Sequence, residues 1–356
     1  MAKIKYVLVG FGGIAENRVA KEGYACDKKR FKPLKNAVLT GATDLNPARQ
    51  AAAEALGLKW YPSLDEVLAD KAVDGVYIAT NNRSHVPLAM AALKAGKHVI
   101  VEKPIATSVA DAKKLNKLAK AKKLSLTVDH MMVNNAWNIA GKKAMAAGKL
   151  GKINDCCYHM EFAYGYDPAE AATWRCSKVE EMGGPIGDVA SHCFYVAEFM
   201  FGKKITKVAA VYYPKTMKIK AEDGAYIKFF FADGTHGSVN AAFSELRGGL
   251  AGTLTNLGYE VYGDKAAMRG YGTMFQLSGY TDEPIAMRLE IDDGKTVTKV
   301  SPTKIQNIYS TLIDGHAKSV QTKKLLTADD AIHNLALCAA AHESAKKGGK
   351  VVRVKG

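Results

Sequence analysis

Apolar runs typical of buried strands alternate with helical segments over the first 130 residues of the chain. The strand-like runs are KIKYVLVG, AVLTGATD, DGVYIAT, HVIVEKP and SLTVDH, and the segments between them have helical periodicity. Strands that are apolar on both faces and separated by helices form parallel sheets, because the intervening helices cover the faces of the sheet. The pattern therefore predicts a doubly wound α/β domain with a parallel sheet.

The first junction between a strand and a helix carries a glycine pattern typical of dinucleotide binding. In VGFGGIAENR, Gly10, Gly12 and Ala15 occupy the three defining positions of the G-x-G-x-x-G/A pattern. Glycines there permit a tight turn and let the backbone approach a pyrophosphate at the helix N-terminus. Asp44 ends the next strand, where a carboxylate bonds a ribose 2′-hydroxyl and repels a 2′-phosphate. Because no arginine directly follows Asp44, NAD is favoured over NADP. The predicted contacts of this half of the cofactor are Gly10, Phe11, Gly12, Gly13, Ile14, Ala15, Asp44 and Leu45.

Polar side chains cluster at the carboxyl ends of three predicted strands, where ligands bind in open α/β sheets. Thr80, Asn81, Asn82 and His85 follow the third strand, Glu102 and Lys103 end the fourth, and His130 follows the fifth. A lysine between an apolar strand and a proline is held at the sheet edge. There it has a depressed pKa or points its charge at a ligand. The alternative for Lys103 is a salt bridge with a nearby carboxylate.

The stretch EEMGGPIGDVASHCFYVAEFMFG places an acid and an imidazole near the start of an apolar helix. Asp188 and His192 are four residues apart, so their side chains lie on one helix face. Such a pair either caps and ties the helix or transfers protons. It supplies only two metal ligands, and spacing places no third, so no metal site is expected.

The second half of the chain predicts an α+β domain with a large, open, mainly antiparallel sheet. Alternating segments begin at Ile153, FADGTHG has the chemistry of a hairpin turn, and two helices precede the final strand VVRV. The expected domains are 1–128, which binds NAD, and 129–356, which binds substrate and forms oligomers, with C-terminal helices that can pack back on the first domain. Several side chains suit either sugar binding or ordinary strand packing: Tyr158, His159, Tyr164, Tyr166, Trp174, His236 and Asn240.

Composition excludes several other classes of protein. The net charge is +15, but the lysines are dispersed, and those of segment 109–122 lie on the polar face of a predicted helix. No nucleic-acid-binding motif is present, so no nucleic-acid partner is expected. The six cysteines form no CxxC pair, and no apolar run approaches a membrane span. A cytoplasmic protein without membrane contact is therefore expected.

Five segments of the chain resemble, in order and spacing, those of the Gfo/Idh/MocA family. The namesakes of this family are glucose–fructose oxidoreductase and inositol 2-dehydrogenase. The five segments are VGFGGIA, ATNNRSH, VEKPIA, TWRCSKVEEMGGPIGDVASH and AHESAKKGGKVVRV, and the similarity runs from Ile4 to Val354. The resemblance implies NAD(P)-dependent oxidation or reduction of a secondary alcohol or ketone of a sugar or polyol. It also implies a homodimer or homotetramer formed through the C-terminal sheet.

The same resemblance implies roles for individual residues. Lys103, Asp188 and His192 correspond to the family's catalytic residues, Thr80, Asn82 and His85 to its nicotinamide-side contacts, and Trp174 and Arg175 to a substrate-side element. We expect Lys103, His130, Trp174, Arg175, Asp188 and His192 to contact substrate. The chain departs from the family at Asn81, where proline is frequent, and in DHMMVNNAW, which lacks the usual arginine–phenylalanine pair.

These residues predict a mechanism in which His192 accepts the hydroxyl proton while Lys103 lowers the pKa of the alcohol. Asp188 orients the imidazole or holds the substrate hydroxyl. An alternative is a redox-neutral, NAD-dependent glycosidase or lyase that oxidises C3 of a glycoside transiently. A third alternative is a noncatalytic nucleotide-binding or regulatory protein.

Overall fold

A computed structural model of the protein describes residues 2–245, 256–274 and 287–356. The chain divides into two compact units, which we call unit 1 (Met1–Met131 and Asn307–Ile332) and unit 2 (Met132–Gln306 and His333–Gly356). The predicted division into residues 1–128, which bind NAD, and residues 129–356, which bind substrate and form oligomers, stays a prediction.

Strands and helices are numbered in chain order. The strands are β1 Ile4–Val9, β2 Ala37–Thr43, β3 Lys59–Trp60, β4 Gly75–Ile78, β5 His98–Val101, β6 Leu126–Val128, β7 Ile153–Glu161, β8 Ile205–Tyr212, β9 Gly224–Phe231, β10 His236–Ala242, β11 Leu257–Gly263, β12 Ala267–Tyr271, β13 Arg288–Asp292, β14 Val297–Lys299 and β15 Val352–Arg353. The α-helices are α1 Gln50–Glu54, α2 Leu64–Ala69, α3 Asn82–Lys94, α4 Val109–Lys122, α5 Ala136–Ala146, α6 Pro168–Ala171, α7 Trp174–Ser177, α8 Ser191–Phe201, α9 Ile308–Gln321 and α10 Asp329–Lys346. Two π-helical segments, Ala15–Gly23 and Ile186–Ala190, follow β1 and precede α8.

Unit 1 contains a parallel sheet with the strand order β3-β2-β1-β4-β5-β6. This is the order of the doubly wound Rossmann fold, and it confirms the predicted fold class. The central strands are apolar because both faces of the sheet are covered: Tyr6, Val7 and Leu8 of β1 have no exposed surface. Strand β3 was not predicted, because two residues at a sheet edge carry no detectable periodicity.

Helix α9 belongs to unit 1, although it lies far along the chain. Its buried His316 has Nδ1 2.6 Å from the hydroxyl oxygen of Tyr6 in β1. The Tyr6 ring also packs against Tyr24, at 5.7 Å between centroids. Burial, together with the neighbouring His98, lowers the pKa of His316 to about 3. The imidazole is therefore neutral in the folded protein at pH 7.

Unit 2 contains a mainly antiparallel sheet, as predicted. Within the described residues its strand order is β14-β13-β12-β11-β7-β10-β9-β8-β15, and only the β7–β10 pair is parallel. The predicted hairpin joins β9 to β10 and has Gly234 at φ +88°. Tyr158 of β7 is fully buried, donates to Met200 Sδ of α8 at 3.5 Å and packs against Tyr259. Of the two alternatives predicted for Tyr158, sugar binding and strand packing, the structure therefore shows packing in the core.

Helix α4 has the distribution of lysines that was predicted for segment 109–122. Lys113, Lys114, Lys117 and Lys120 of α4 are exposed, while Ala112, Leu115 and Ala119 are buried. Among the helices that the structure describes, none is both long and apolar enough to cross a membrane.

Acidification should destabilise the protein through His316. The unfolded chain protonates this residue near pH 6.5, whereas the folded chain does so only near the pKa of about 3, so stability falls between these values. From pH 7 to pH 5 we expect a loss of about 2 kcal/mol from this residue alone. His316→Gln, which keeps a hydrogen-bonding group near Tyr6, should lose correspondingly less between the two pH values in urea unfolding.

The matched control is His236→Gln, because His236 lies half-buried in the β9–β10 hairpin of unit 2. This variant should lose as much stability on acidification as the wild type does. An equal loss in His316→Gln and the wild type would contradict the assignment of the pH dependence to His316.

Candidate active site

The loop between β1 and the first helical segment approaches β4 so closely that its first glycine is required. Gly10 has φ +87°, and a Cβ there would lie 2.6 Å from the backbone oxygen of Ala79. At Gly12 and Gly13, by contrast, a Cβ would meet no atom within 4 Å. The space beside these two glycines is therefore open to a ligand, as a pyrophosphate requires. Ala15 is buried at the start of the π-helix, while Ile14 is 43% exposed.

Asp44 follows β2 and is tied to the glycine loop. Its Oδ2 accepts the Phe11 N–H at 2.6 Å, and its Oδ1 accepts the Asn46 N–H at 2.8 Å. The adjacent Leu45 is completely exposed. Gly10, Gly12, Asp44, Leu45 and Thr80 line one cavity of about 1220 Å³ in unit 1. A carboxylate beside a glycine loop, an exposed apolar side chain and a cavity of this size fit the adenosine half of a dinucleotide.

Arg49 is the arginine nearest to Asp44 in the sequence after the second strand, and it is committed to the protein. Its Nε donates to the Phe11 carbonyl at 2.7 Å, and its guanidinium pairs with Glu16. The same group lies 5.7 Å from the centre of the Phe11 ring. These contacts hold the guanidinium on the glycine loop, which is consistent with the preference for NAD over NADP predicted from Asp44.

The residues after β4 have structural roles that their spacing did not indicate. Asn81 is the N-cap of α3, and its side chain accepts the Ser84 N–H at 3.1 Å. Asn82 is 2% exposed and His85 has no exposed surface. The His85 ring lies between two backbone oxygens, with Nδ1 2.7 Å from Pro104 O and Nε2 3.2 Å from Thr80 O.

This environment changes the interpretation of His85. Burial lowers its pKa, so the ring is neutral and Nδ1–H donates to Pro104 at the shorter distance. A neutral ring has a single N–H donor, so it is hydrogen-bonded to the loop after Lys103 and only packs against the carbonyl of Thr80. The ring has no exposed surface, and its predicted contact with the cofactor stays a prediction.

Lys103 follows β5 beside a buried acidic cluster. The Tyr77 hydroxyl donates to Asp129 Oδ2 at 2.5 Å and lies 3.2 Å from Glu102 Oε1. Burial and the negative charge of Glu102 raise the pKa of Asp129 well above its usual range, while the positive charge of Lys103 opposes this shift. Glu102 is half-buried with Oε1 near the Tyr77 hydroxyl, and its predicted contact with the cofactor stays a prediction. His130 follows at the end of β6 and is half-buried.

The helical segment that carries Asp188 is capped by a residue other than Asp188, which the sequence had offered as a possible cap. Asp188 lies within the π-helical segment and does not cap it; Glu222, from a distant loop, accepts the Ile186 N–H at 2.9 Å. Gly184 has φ +84°, and a Cβ there would lie 2.5 Å from Glu222 Oε2. The glycine-rich turn therefore makes room for a capping carboxylate, which leaves Asp188 to make other contacts.

Asp188 pairs with the predicted substrate-side element. Arg175 Nε lies 3.3 Å from Asp188 Oδ2, and the Arg175 guanidinium lies 4.7 Å from the centre of the Trp174 ring. Asp188 is 8% exposed, whereas Trp174 and Arg175 are half-buried. Three of the predicted substrate-binding residues are thus neighbours within unit 2.

His192 is held by a tyrosine. Its Nδ1 lies 2.6 Å from the Tyr195 hydroxyl oxygen, which also accepts the Met132 N–H at 3.3 Å. His192 is 4% exposed and Tyr195 is 6% exposed. A hydroxyl oxygen has two lone pairs, so it can accept from the backbone and from Nδ1–H at the same time. In that tautomer Nε2 carries the basic lone pair of the imidazole.

Three partners of the predicted site residues, in one unit or the other, were not identified from the sequence. Tyr195 follows His192 by three residues, a helical spacing that would have indicated the contact. Asp129, by contrast, resembled an ordinary turn residue at a strand end. Glu222 is 36 residues from Ile186, and no local pattern connects them.

Unit 1, with its strand order, glycine loop and terminal aspartate on β2, is a dinucleotide-binding Rossmann domain. A family model described as "Oxidoreductase family, NAD-binding Rossmann fold" matches residues 4–130, and the "GFO/IDH/MocA C-terminal domain" matches residues 140–269. Together these models cover more than half of the chain, which therefore belongs to the Gfo/Idh/MocA family of NAD-binding oxidoreductases, as the sequence predicted.

The chain is similar over most of its length to enzymes that act on sugars and cyclitols. It is 26% identical to a 1,5-anhydro-D-fructose reductase of Ensifer adhaerens over 80% of this chain and 81% of the relative. It is 27% identical to the scyllo-inositol 2-dehydrogenase (NADP(+)) IolW of Bacillus subtilis, over 80% of each chain. The crystal structure of an aldose-aldose oxidoreductase from Caulobacter crescentus superposes with a TM-score of 0.84 at 21% identity, covering 99% of this chain and all of the other.

The two glycines of the nucleotide loop should respond differently to the same added methyl group. Gly10→Ala should destabilise the protein by about 1–2 kcal/mol or more, because of its positive φ and its contact with Ala79. Gly12→Ala should unfold at the wild-type urea concentration but bind NAD about tenfold more weakly, since the methyl occupies space open to the ligand. Calorimetric titration with NAD measures the second effect. Wild-type affinity in Gly12→Ala would place the cofactor elsewhere.

Proposed function

We propose that this protein transfers a hydride between NAD and a secondary alcohol or ketone of a sugar, sugar acid or cyclitol. His192 is the general base or acid, and Lys103 stabilises the charge that develops on the reacting oxygen. The proposal rests on family membership and on relatives named as acting on anhydrofructose and scyllo-inositol. NAD, when bound, supplies the hydride acceptor, and the protein must supply the proton acceptor and the electrostatic environment.

The observation that carries the proposal is the pairing of His192 with Tyr195. With Nδ1 2.6 Å from the tyrosine oxygen, the ring is fixed in orientation. In the proposed tautomer, Nδ1–H donates to Tyr195 and Nε2 is the base. The backbone N–H of Met132 helps to fix the tyrosine in turn. A base oriented by a second group is the arrangement that proton transfer requires.

The second part of the proposal is that Lys103 contributes positive charge. Below Lys103, the Tyr77–Asp129–Glu102 cluster holds two carboxyl groups, and the raised pKa of Asp129 favours its protonated form. A cluster with one negative charge rather than two attracts the ammonium group less strongly. In this proposal the positive charge of Lys103 stabilises the alkoxide that develops on the substrate.

For substrate binding we propose the Trp174–Arg175–Asp188 group. An indole face stacks on the apolar face of a sugar ring, and a guanidinium and a carboxylate bond its hydroxyls. The contact between Arg175 and Asp188 at 3.3 Å orients both polar groups. His130 stays a predicted substrate contact, and the expected homodimer or homotetramer and cytoplasmic location also stay predictions.

Substrate class can be tested by absorbance at the NADH band. The protein is mixed with NAD or NADP and with sugars, sugar acids, cyclitols and aryl glycosides in turn. We expect absorbance to rise with a free sugar, sugar acid or cyclitol, and faster with NAD than with NADP. Glycoside cleavage at catalytic NAD without a rise would instead indicate the redox-neutral alternative. Cofactor binding without turnover across the panel would favour a noncatalytic role.

His192→Gln should lower kcat by about 10²–10⁴-fold, because general-base catalysis is lost, while NAD still binds. Tyr195→Phe should lower kcat less than His192→Gln does, and it should also change the pH dependence of kcat/KM. Loss of the acceptor for Nδ1–H destabilises the imidazolium, so the acidic limb of the kcat/KM pH profile should move to lower pH. Wild-type turnover in His192→Gln, or an unshifted profile in Tyr195→Phe, would contradict these roles.

A further inference from the structure

The sheet of unit 2 brings three potential metal ligands together on one of its faces. Cys157 and His159 are two residues apart on β7, so both side chains project from one face of the sheet. Glu260 lies directly opposite Cys157 on the antiparallel neighbour β11. One donor atom from each of the three side chains lies within 4.8 Å of the other two.

The surroundings of His159 are those of a metal-binding imidazole. Its Nδ1 lies 3.0 Å from Glu161 Oε2, while its Nε2 lies 3.4 Å from Glu260 Oε2. Glu161 is 3% exposed, and the Tyr213 hydroxyl donates to its other carboxylate oxygen at 3.4 Å. A carboxylate on one ring nitrogen fixes the orientation of the ring and increases the basicity of the other nitrogen, as in zinc enzymes.

A further oxygen lies next to this group. Asn240 on β10 is paired in parallel register with His159, so its side chain projects from the same face. The Asn240 Oδ1 atom is buried and has no hydrogen-bond partner among the described residues. An unsatisfied buried amide oxygen is costly, and a cation or a metal-bound water would satisfy it.

We propose that Cys157 Sγ, His159 Nε2 and Glu260 form a binding site for a divalent transition-metal ion, with Zn²⁺ as the best match. Zn²⁺ accepts thiolate, imidazole and carboxylate ligands in tetrahedral geometry, at about 2.3, 2.0–2.1 and 2.0–2.2 Å. Donor atoms within 4.8 Å of one another reach these distances after small side-chain movements. A water or Asn240 Oδ1 completes the four ligands. Ca²⁺ and Mg²⁺ are disfavoured, because they prefer oxygen ligands throughout.

The bound ion would connect β7 to β11, because its ligands come from both strands. The competing interpretation is an ion-pair cluster in which a protonated His159 lies between Glu161 and Glu260. The two interpretations differ in whether the cluster takes up a metal with a thiolate among its ligands.

Binding is tested with the full-length protein, without a histidine tag, after treatment with a chelator. Titration with Zn²⁺ should show one saturable site per chain, and the thermal unfolding midpoint should rise with the concentration of free Zn²⁺. Titration with Co²⁺ should give a thiolate-to-cobalt charge-transfer band and the visible spectrum of a four-coordinate ion. Failure to bind either ion would overturn the proposal.

Variants locate the site. Cys157→Ser should abolish the charge-transfer band, His159→Gln and Glu260→Gln should weaken binding at least tenfold, and Glu161→Gln should weaken it by about 10–100-fold. Cys26→Ser is the matched control, because Cys26 is a half-buried thiol of unit 1, and it should bind as the wild type does. Circular dichroism confirms that each variant is folded. A charge-transfer band that persists in Cys157→Ser would refute the site.

Discussion

Parallel pairing of β1 with β2 and β4 is the constraint on which the nucleotide-binding half depends. In this register Val9 lies beside Thr43 on one side and beside Ile78 on the other, so the three strands end at the same level. The loops that follow then place Gly10, Asp44 and Thr80 around one cavity. Such an arrangement requires a residue without a Cβ after β1, because the chain passes against the backbone of Ala79. A single steric requirement thus links the sheet to the phosphate-binding loop.

Much of the fold could be predicted because its signals are local. Buried parallel strands are continuous apolar runs, and an asparagine before a proline, as in Asn46–Pro47, is typical of a helical start. The structure begins there with a short 3₁₀ turn before α1. The start of α3 likewise depends on its cap, because Asn81 caps the helix that begins at Asn82. This cap also explains why the chain tolerates asparagine at a position where proline is frequent in the family: both residues are compatible with a helix start.

The polar partners of the predicted site residues could not be found in the same way, because they come from other elements. Glu222 reaches the start of the Asp188 helix from a loop, and Tyr77 reaches Asp129 across the sheet of unit 1. These contacts change the interpretation of the residues that the motifs identified. His85 donates to the Pro104 carbonyl, Glu102 lies near the hydroxyl that bonds a buried acid, and Asp188 pairs with Arg175 rather than capping its helix. Motifs therefore select candidate residues, but they do not indicate what each residue contacts.

The proposed metal ligands of unit 2 show most clearly that local sequence patterns do not reveal partners from other elements. A search by spacing considers donors close together in sequence, and there Asp188 and His192 offered two ligands and no third. In a sheet the third donor comes from register instead: Glu260 is about a hundred residues from Cys157 yet lies opposite it. The alternation of β7 then separates its functions, because Cys156 and Tyr158 enter the core while Cys157 and His159 meet Glu260 on the other face. Successive side chains of a strand project from opposite faces of the sheet. Strand β7 can therefore contribute to the core of unit 2 with one face and to the proposed metal site with the other.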